Sequence, residues 1–264
     1  VQEQWYLFKD QRHTEKDKHT LPQPYFKSDI YVTDAGNTAW QQYLATRNQD
    51  VYATLDFDGY HVDALGNRGA LYNYQGQPVD QAATFLPFLQ AMKTAAPGKR
   101  LVMNAVNQYG QQNNIAEAPV DFLYTEVWGP NESFADLASI IQQNDTYSNG
   151  SKKTVLAAYM NYQHADKPGF FNTPSVLLTN AVIFSFGGAH LELGEHMLGK
   201  EYFPNNNLQM NDALKQALLL HDLDPPEQVA RLQGGLGTGA AHRLHQRELL
   251  AGELGDRRVG LVVV

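Results

Sequence analysis

Short apolar runs alternate along the chain with longer segments whose apolar residues recur at helical spacing. The apolar runs predict strands, at 28–35, 56–66, 100–107, 119–129, 153–162 and 187–195. Helices are predicted between them, over 38–55, over 79–95, after Ser133 and after Thr173. Strands that alternate with helices favour a parallel sheet with crossover helices.

Three of the predicted helices carry finer detail. In 79–95 the apolar residues near one face are Val79, Ala82, Ala83, Leu86, Leu89 and Met92. Ser133 is predicted to cap a helix that ends at Asn149-Gly150 and whose apolar face is Phe134, Leu137, Ile140 and Ile141. Thr173 is the expected N-cap of the last helix, with Pro174 as its first residue.

Two architectures fit this alternation, an open doubly wound sheet and a (β/α)₈ TIM-type barrel. No glycine-rich G-x-G-x-x-G follows any predicted strand, which favours the barrel. Polar residues collect at the predicted strand ends, where barrel enzymes place their catalytic groups: Asp63, Asn104, Asn107, Glu126, Asn161, His190 and Glu192. About six strands are present where a barrel needs eight. We therefore expect residues 1–224 to form a partial catalytic barrel, incomplete at its N-terminus.

Composition narrows the classes of partner. The net charge of −8 argues against nucleic acid, because phosphate binding needs clustered Lys and Arg. No apolar run approaches the length of about 18 residues that a membrane span needs. Cysteine is absent, which excludes disulfides and thiolate metal sites. The many aromatic residues suit either a large core or the stacking of sugar rings.

Two carboxylates lie at the ends of otherwise apolar strands, Asp63 in the second predicted strand and Glu126 in the fourth. His61 shares a strand face with Asp63, and Trp128 shares one with Glu126, because residues two apart on a strand face the same way. Glycoside cleavage needs a carboxylate that attacks, a second that transfers a proton, and a surface for the sugar. The same pattern also fits buried ion pairs with Lys or Arg from neighbouring helices.

Metal binding is a competing hypothesis. Asp56, Asp58, His61 and Asp63 are closely spaced, and His190 and Glu192 share a strand face. However, Asp56 and Asp58 are not expected to face the same way as His61, and no H-x-H or H-E-x-x-H pair is present. We predict that the protein uses no metal and no other cofactor.

Six strings in order resemble glycoside hydrolase family 66, which contains endo-dextranases and cycloisomaltooligosaccharide glucanotransferases. They are YLFKD, DFDGYHVDALGNRG, LVMNAVNQYG, PVDFLYTEVWG, TVLAAYMNY and HLELGEHMLGKEYFPN, and they span roughly residues 5–220. The resemblance implies a (β/α)₈ barrel, a retaining mechanism, secretion, and α-1,6-glucan (dextran and isomaltooligosaccharides) as substrate.

The family motifs assign roles to individual residues. The resemblance implies that Asp63 is the nucleophile and that Glu126 is the general acid/base. We expect Asp63 to remain ionised, helped by donors such as His61. It also places His61, Asn104, Asn107 and Trp128 in the sugar-binding cleft. His190 and Glu192 match a family string too, where they contact sugar or orient other side chains.

Hydrolysis and cyclisation share this machinery, and the resemblance implies that cyclising members carry a sugar-binding module inserted in the barrel. No such insertion lies between Glu126 and residue 190, which favours a dextranase. A cycloisomaltooligosaccharide glucanotransferase is the alternative, and a truncated, inactive glucan-binding fragment is another.

Residues 225–264 depart from the rest of the chain. All 29 aromatic residues and all 11 Lys precede Pro225, whereas five of the nine Arg follow it. We expect this tail to be an out-of-frame or foreign extension that is disordered or loosely docked. A genuine linker followed by a helix, with Leu244, Leu249 and Leu254 on one face, is the alternative.

Overall fold

Helices alternate with short strands, as the sequence pattern predicts. The computed structural model describes residues 2–24, 26–191, 199–200, 207–223 and 259–263. They fall into two units: the first holds the described residues up to Leu123 and the strand 259–263, and the second holds those from Tyr124 to Leu223.

Five α-helices and twelve strands lie in the described residues. The helices are α1 (Thr38–Thr54), α2 (Gln81–Ala95), α3 (Phe134–Tyr147), α4 (Thr173–Ser185) and α5 (Asp212–Leu223). The strands are β1 (Lys18–His19), β2 (Ile30–Tyr31), β3 (Gly59–Asp63), β4 (Leu71–Tyr72), β5 (Pro78–Val79), β6 (Arg100–Met103), β7 (Leu123–Val127), β8 (Thr154–Ala158), β9 (Gly169–Phe170), β10 (Ala189–His190), β11 (Leu208–Gln209) and β12 (Val259–Val263).

Strand β3 is the centre of a parallel three-stranded sheet in the first unit, between β12 and β6. The first residue of β3 is Gly59. A side chain does not fit at this position, because a Cβ there would lie 2.4 Å from the carbonyl oxygen of Arg100. Tyr60 and Val62 are buried, whereas His61 and Asp63 are half-buried. The alternation of period two therefore separates the core residues of β3 from its candidate site residues.

Helices α1 and α2 pack together in this unit. The Asn37 side chain caps α1 by accepting hydrogen bonds from the backbone nitrogens of Ala39 and Trp40. The predicted face of α2 is only partly right: Leu89 and Met92 are buried, but Ala83 is exposed, and the other buried residues are Gln81, Phe85 and Phe88. Helix α2 has apolar residues on most of its surface, so its sequence pattern alone does not show which face is buried.

The predicted strand 28–35 is shorter than expected and is not part of a parallel sheet. Only Ile30–Tyr31 forms a strand, β2, and it pairs with β1 in antiparallel fashion. Thr33 adds one antiparallel bridge to Tyr6. The segment therefore pairs with other N-terminal residues. It is not one of the parallel strands that are joined by crossover helices.

A buried ion pair joins the N-terminal segment to the loop that follows β3. Asp17 is fully buried, and Arg68 donates to both of its carboxylate oxygens, at 2.8 and 2.6 Å. The Lys9 ammonium lies 3.0 Å from the same carboxylate. Burial acts to raise the pKa of Asp17, but the two cations outweigh it and hold that pKa below its ordinary value.

In the second unit, β7, β8 and β10 form a sheet with β8 in the middle, and β8 and β10 run parallel. Helices α3 and α4 pack on each other. A core cluster joins these helices to the sheet: Val127, Leu137, Ile140, Ile141, Leu156, Ala158 and Ile183. Phe134, predicted to belong to the apolar face of α3, is 43% exposed.

The ends of α3 follow the predicted signals. Ser133 and Asp136 form a reciprocal capping box at its start. At its end the Gly150 nitrogen donates to the Asp145 carbonyl at 2.7 Å, and the Asn149 nitrogen donates to the Thr146 carbonyl. Asn149 and Gly150 both have positive φ, which completes a Schellman ending.

Helix α4 begins one residue earlier than its predicted cap implies. Asn172, not Thr173, is the N-cap, because its side chain accepts a hydrogen bond from the Ser175 nitrogen. Thr173 is the first helical residue and Pro174 the second. Asparagine and threonine are both good caps, so sequence alone does not choose between neighbouring candidates.

The described strands form five sheets of two or three strands, and within this part of the chain none of the sheets closes into a barrel. The alternating α/β arrangement is confirmed, but an eight-stranded barrel is not.

Most of the tail 225–264, with Leu244, Leu249 and Leu254, lies outside the described residues. Its last part forms β12, which pairs in parallel with β3 from Val259 opposite Gly59 to Val263 opposite Asp63. This pairing was not expected of a loosely docked extension. The foreign origin of the tail stays a prediction.

No helix among the described residues has both the length and the apolar character needed to span a lipid bilayer.

Candidate active site

Asp63 ends strand β3 in the first unit, and one of its two carboxylate oxygens is held firmly. The Asn104 side chain donates to Oδ1 at 2.8 Å, and the Ala64 nitrogen donates to the same atom at 3.0 Å. Asn104 is 3% exposed and follows β6, where its own nitrogen donates to the Val62 carbonyl. Within the described chain Oδ2 has no hydrogen-bond donor, so this oxygen remains for a reacting group.

Burial raises the pKa of Asp63 above its ordinary value of 3.8, and the hydrogen bonds from Asn104 and Ala64 offset part of that rise. These donors differ from the prediction that His61 keeps Asp63 ionised. His61 does lie two residues before Asp63 on β3 and is half-buried. Its predicted contact with sugar stays a prediction.

Asn107 lies in a short turn after β6, in a left-handed backbone conformation with φ of 46°. Gln108 follows with φ of 67°. Asparagine tolerates this conformation better than most residues, and such positions occur often at functional sites. Strand β6 ends at Met103, four residues before its predicted end, so Asn104 and Asn107 both lie after the strand and not in it.

Glu126 lies in strand β7 of the second unit, with a tyrosine hydroxyl directly on its carboxylate. Tyr159, which follows β8, donates to Glu126 Oε1 at 2.5 Å. Charge-assisted O–H···O bonds have this length. Strands β7 and β8 are neighbours in one sheet, which brings Tyr159 close to Glu126.

Tyr159 is also part of a cluster of three aromatic rings. Trp128 lies 4.8 Å from Tyr159 and 5.6 Å from Tyr162, measured between ring centroids. The Lys200 ammonium lies 5.0 Å from the Tyr162 ring centre. Trp128 was predicted as part of the site, whereas Tyr159 and Tyr162 were missed. The available signal was their position at the end of a strand next to the one that carries Glu126.

His190 contacts protein atoms at both of its ring nitrogens. Nδ1 lies 2.7 Å from the Asn180 side-chain oxygen, and Nε2 lies 3.0 Å from the Ala158 carbonyl. Burial lowers the pKa of His190, and the hydrogen bond to Ala158 offsets part of that effect. These contacts favour the role of orienting β8 over direct contact with sugar. Glu192 lies outside the described residues.

The two candidate catalytic carboxylates belong to different units, Asp63 to the first and Glu126 to the second. Each unit by itself supplies one half-buried carboxylate at a strand end, with one oxygen hydrogen-bonded to a neighbouring side chain.

Asp56, Asp58, His61 and Asp63 form no metal-binding group. Among the described residues, no three His, Cys, Asp or Glu side chains are arranged to hold an ion.

Carboxylates, amides and aromatic rings at the ends of strands are groups that glycoside cleavage can use. Residues 1–221 match the model of glycosyl hydrolase family 66. The chain belongs to this family, as its motifs predicted, and the members it resembles are glycoside-acting enzymes.

Curated relatives include both activities of the family. A cycloisomaltooligosaccharide glucanotransferase of Niallia circulans is 34% identical over 173 residues, covering 61% of this chain and 17% of the relative. A dextranase of Streptococcus salivarius is 24% identical over 221 residues, covering 67% of this chain and 26% of the relative. The chain thus spans only a minor part of the length of these relatives.

The fold is shared with a solved structure, a cycloisomaltooligosaccharide glucanotransferase of Paenibacillus sp. complexed with cycloisomaltoheptaose. The TM-score is 0.75 at 23% identity, and the match covers 84% of this chain and 50% of the other.

Proposed function

We propose that this chain carries the catalytic residues of a retaining enzyme that cleaves α-1,6-glucosidic linkages in dextran, as part of a (β/α)₈ barrel. Asp63 is the nucleophile and Glu126 is the general acid/base. The observation that carries the proposal is the state of Asp63: two donors fix Oδ1, and Oδ2 has no hydrogen-bond donor in the described chain.

In the first step Asp63 Oδ2 attacks the anomeric carbon, and the bond from that carbon to the glycosidic oxygen breaks. The electron pair stays on the oxygen, which takes a proton from Glu126. In the second step the Glu126 carboxylate removes a proton from an incoming hydroxyl, whose oxygen displaces Asp63 from the anomeric carbon. Tyr159 holds the Glu126 carboxyl in position through its hydrogen bond.

The incoming hydroxyl decides the product. Water gives a linear isomaltooligosaccharide, whereas the far end of the same glucan gives a ring. The lack of an inserted module between Glu126 and His190 supports hydrolysis. The glucanotransferase alternative is supported by the relative from Niallia circulans, which has the higher identity. Secretion, implied by the family resemblance, is part of the proposal.

Incubation with dextran followed by product analysis tests the proposal. Linear products with initially retained α configuration at the new reducing end, followed by NMR, are expected. Cyclic products would favour the transferase, and binding without turnover would favour an inactive fragment. Glu126→Gln should abolish turnover, while Glu132→Gln, at an exposed carboxylate of the same unit, should leave it unchanged. Undiminished turnover by Glu126→Gln would disprove the assignment.

A further inference from the structure

A second concave site lies in the second unit, next to the start of α4. It is a cleft of about 620 Å³, lined by Asn161, His164, Phe170, Asn172 and Asn211 among others. Clefts that bind small molecules have volumes of about 300–1,000 Å³. The size is therefore sufficient for a ligand larger than a few waters.

The amide side chains of the cleft are fixed by the protein through their oxygens. Asn172 Oδ1 accepts a hydrogen bond from the Ser175 nitrogen at 2.9 Å, and Asn211 Oδ1 accepts one from the Leu214 nitrogen at 2.8 Å. In the described residues neither amide nitrogen has a hydrogen-bond acceptor. Two N–H₂ groups of fixed orientation therefore remain for ligand oxygens.

Asn161 makes this arrangement rigid. It has a left-handed backbone conformation, with φ of 54°, and its Oδ1 accepts a hydrogen bond from the Asn172 nitrogen at 2.9 Å. The Thr173 hydroxyl donates to Asn211 Oδ1 at 3.3 Å, which links the starts of α4 and α5. A ligand would thus meet a preorganised set of polar groups.

Phe170 supplies an exposed apolar surface to the same cleft. It is 65% exposed on β9, whose pairing with β11 is fixed by hydrogen bonds at Gly169 and Phe171. Phe171 points the other way into a buried cluster with Val176 and Leu214. A ring held in solvent on a paired strand suits stacking against the apolar face of a sugar.

The charge of the cleft restricts the ligand. Among the described residues that line it there is no Asp, Glu, Lys or Arg, and His164 is the single titratable side chain of that set. The described lining therefore offers no Lys or Arg to a phosphate or a carboxylate, and no carboxylate to a metal. Amide donors beside an aromatic ring fit a neutral polyhydroxylated ligand.

We propose that this cleft is a glucan subsite that binds glucosyl units of an α-1,6-glucan away from the bond that is cleaved. The choice of sugar rests on the proposed function. Asn161 lies two residues after Tyr159, which holds Glu126, and the next residue, Tyr162, packs against Trp128. A glucan bound at Glu126 can therefore continue along this strand end into the cleft.

The test compares Phe170→Ala with Phe134→Ala, which removes another exposed ring from the same unit, in a Glu126→Gln background that leaves the glucan intact. Isothermal titration with isomaltoheptaose should show about tenfold weaker binding for Phe170→Ala, because its ring is no longer covered by sugar. Phe134→Ala should bind as the background does. Equal affinities for all three proteins, or competition by inorganic phosphate, would overturn the subsite.

The outcome is separable from that of the proposed function. If the unsubstituted chain produces no cleavage or transfer product but binding depends on Phe170, the catalytic proposal fails and the subsite stands. If dextran is turned over and Phe170→Ala changes neither the affinity nor KM, the subsite fails and the catalytic proposal stands.

Discussion

Replacing Arg68 with methionine tests how strongly the N-terminal segment holds the loop after β3. The substitution keeps an apolar stem but removes both hydrogen bonds to Asp17 and the one to the Lys18 carbonyl. Asp17 is fully buried, so its charge would then depend on Lys9 alone.

The magnitude follows from that burial. Removing one member of a buried ion pair costs about 3–5 kcal/mol, because the remaining charge is desolvated and unpaired. Since Lys9 stays 3.0 Å from Asp17, we expect the lower end, about 3 kcal/mol. That is a large fraction of the roughly 5–15 kcal/mol by which domains are stable.

Urea unfolding followed by tryptophan fluorescence measures this loss, because Trp5 and Trp40 are buried in the same unit as Asp17. Arg47→Met is the matched control: its pair with Asp50 is exposed on both sides, and such pairs contribute less than about 1 kcal/mol. Equal losses for the two variants would refute the reasoning.

A double-mutant cycle adds a second check. Asp17→Asn combined with Arg68→Met should lose less stability than the sum of the single losses, because the unpaired buried charge is gone. The pKa of Asp17 is lowered in the folded chain, so its stabilising effect is present above the ordinary pKa of 3.8 and is lost as pH falls through the folded value. Additive losses, or losses independent of pH, would contradict the ion-pair explanation.

Four further expectations concern the candidate active site. Asp63→Asn should remove turnover yet raise the melting temperature at neutral pH. Because the pKa of Asp63 is raised in the folded chain, the ionised carboxylate opposes folding at pH values above that folded-state pKa. The gain in melting temperature should therefore shrink toward pH 3.8, and a gain that does not depend on pH would contradict this reasoning. Tyr159→Phe should lower kcat on dextran by about tenfold or more through loss of its hydrogen bond to Glu126, whereas Tyr147→Phe, which removes a hydrogen bond to Gln143 at the end of α3, should not. Turnover should survive treatment with EDTA; loss restored by Zn²⁺ would overturn the metal-free mechanism. A crystal structure with bound glucan should place the Asp63 and Glu126 carboxylates about 5–5.5 Å apart, and a spacing of about 8–9 Å would indicate inversion.

The sequence predicted the helices better than their buried faces. Caps such as Ser133 and the Asn149-Gly150 ending are local signals, because both partners lie within a few residues. The buried face of α2 depends instead on what packs against it, and Phe85 and Phe88 compete with Leu86 on a helix that is apolar over most of its surface. The short antiparallel β2 was mistaken for a longer strand because its pairing with β1 is tertiary information.

The same distinction applies to the candidate site. Asp63, Asn104 and Glu126 could be proposed as site residues because each lies near the end of a predicted strand within a family motif. Tyr159 was missed because its contact with Glu126 joins two strands that are 33 residues apart in sequence. The free oxygen of Asp63 likewise depends on Asn104 reaching across from β6, which residue types alone do not reveal.

The hydrogen bond that ends α3 also affects how the protein ages chemically. In an Asn-Gly dipeptide the glycine nitrogen readily attacks the asparagine side-chain amide, which releases ammonia and leaves aspartate or isoaspartate. Here that nitrogen belongs to Gly150 and donates to the Asp145 carbonyl at 2.7 Å, so it is held away from the reaction. Deamidation therefore requires the end of α3 to open first. The amount of isoaspartate that forms at position 149 during storage therefore reports how often the end of α3 opens.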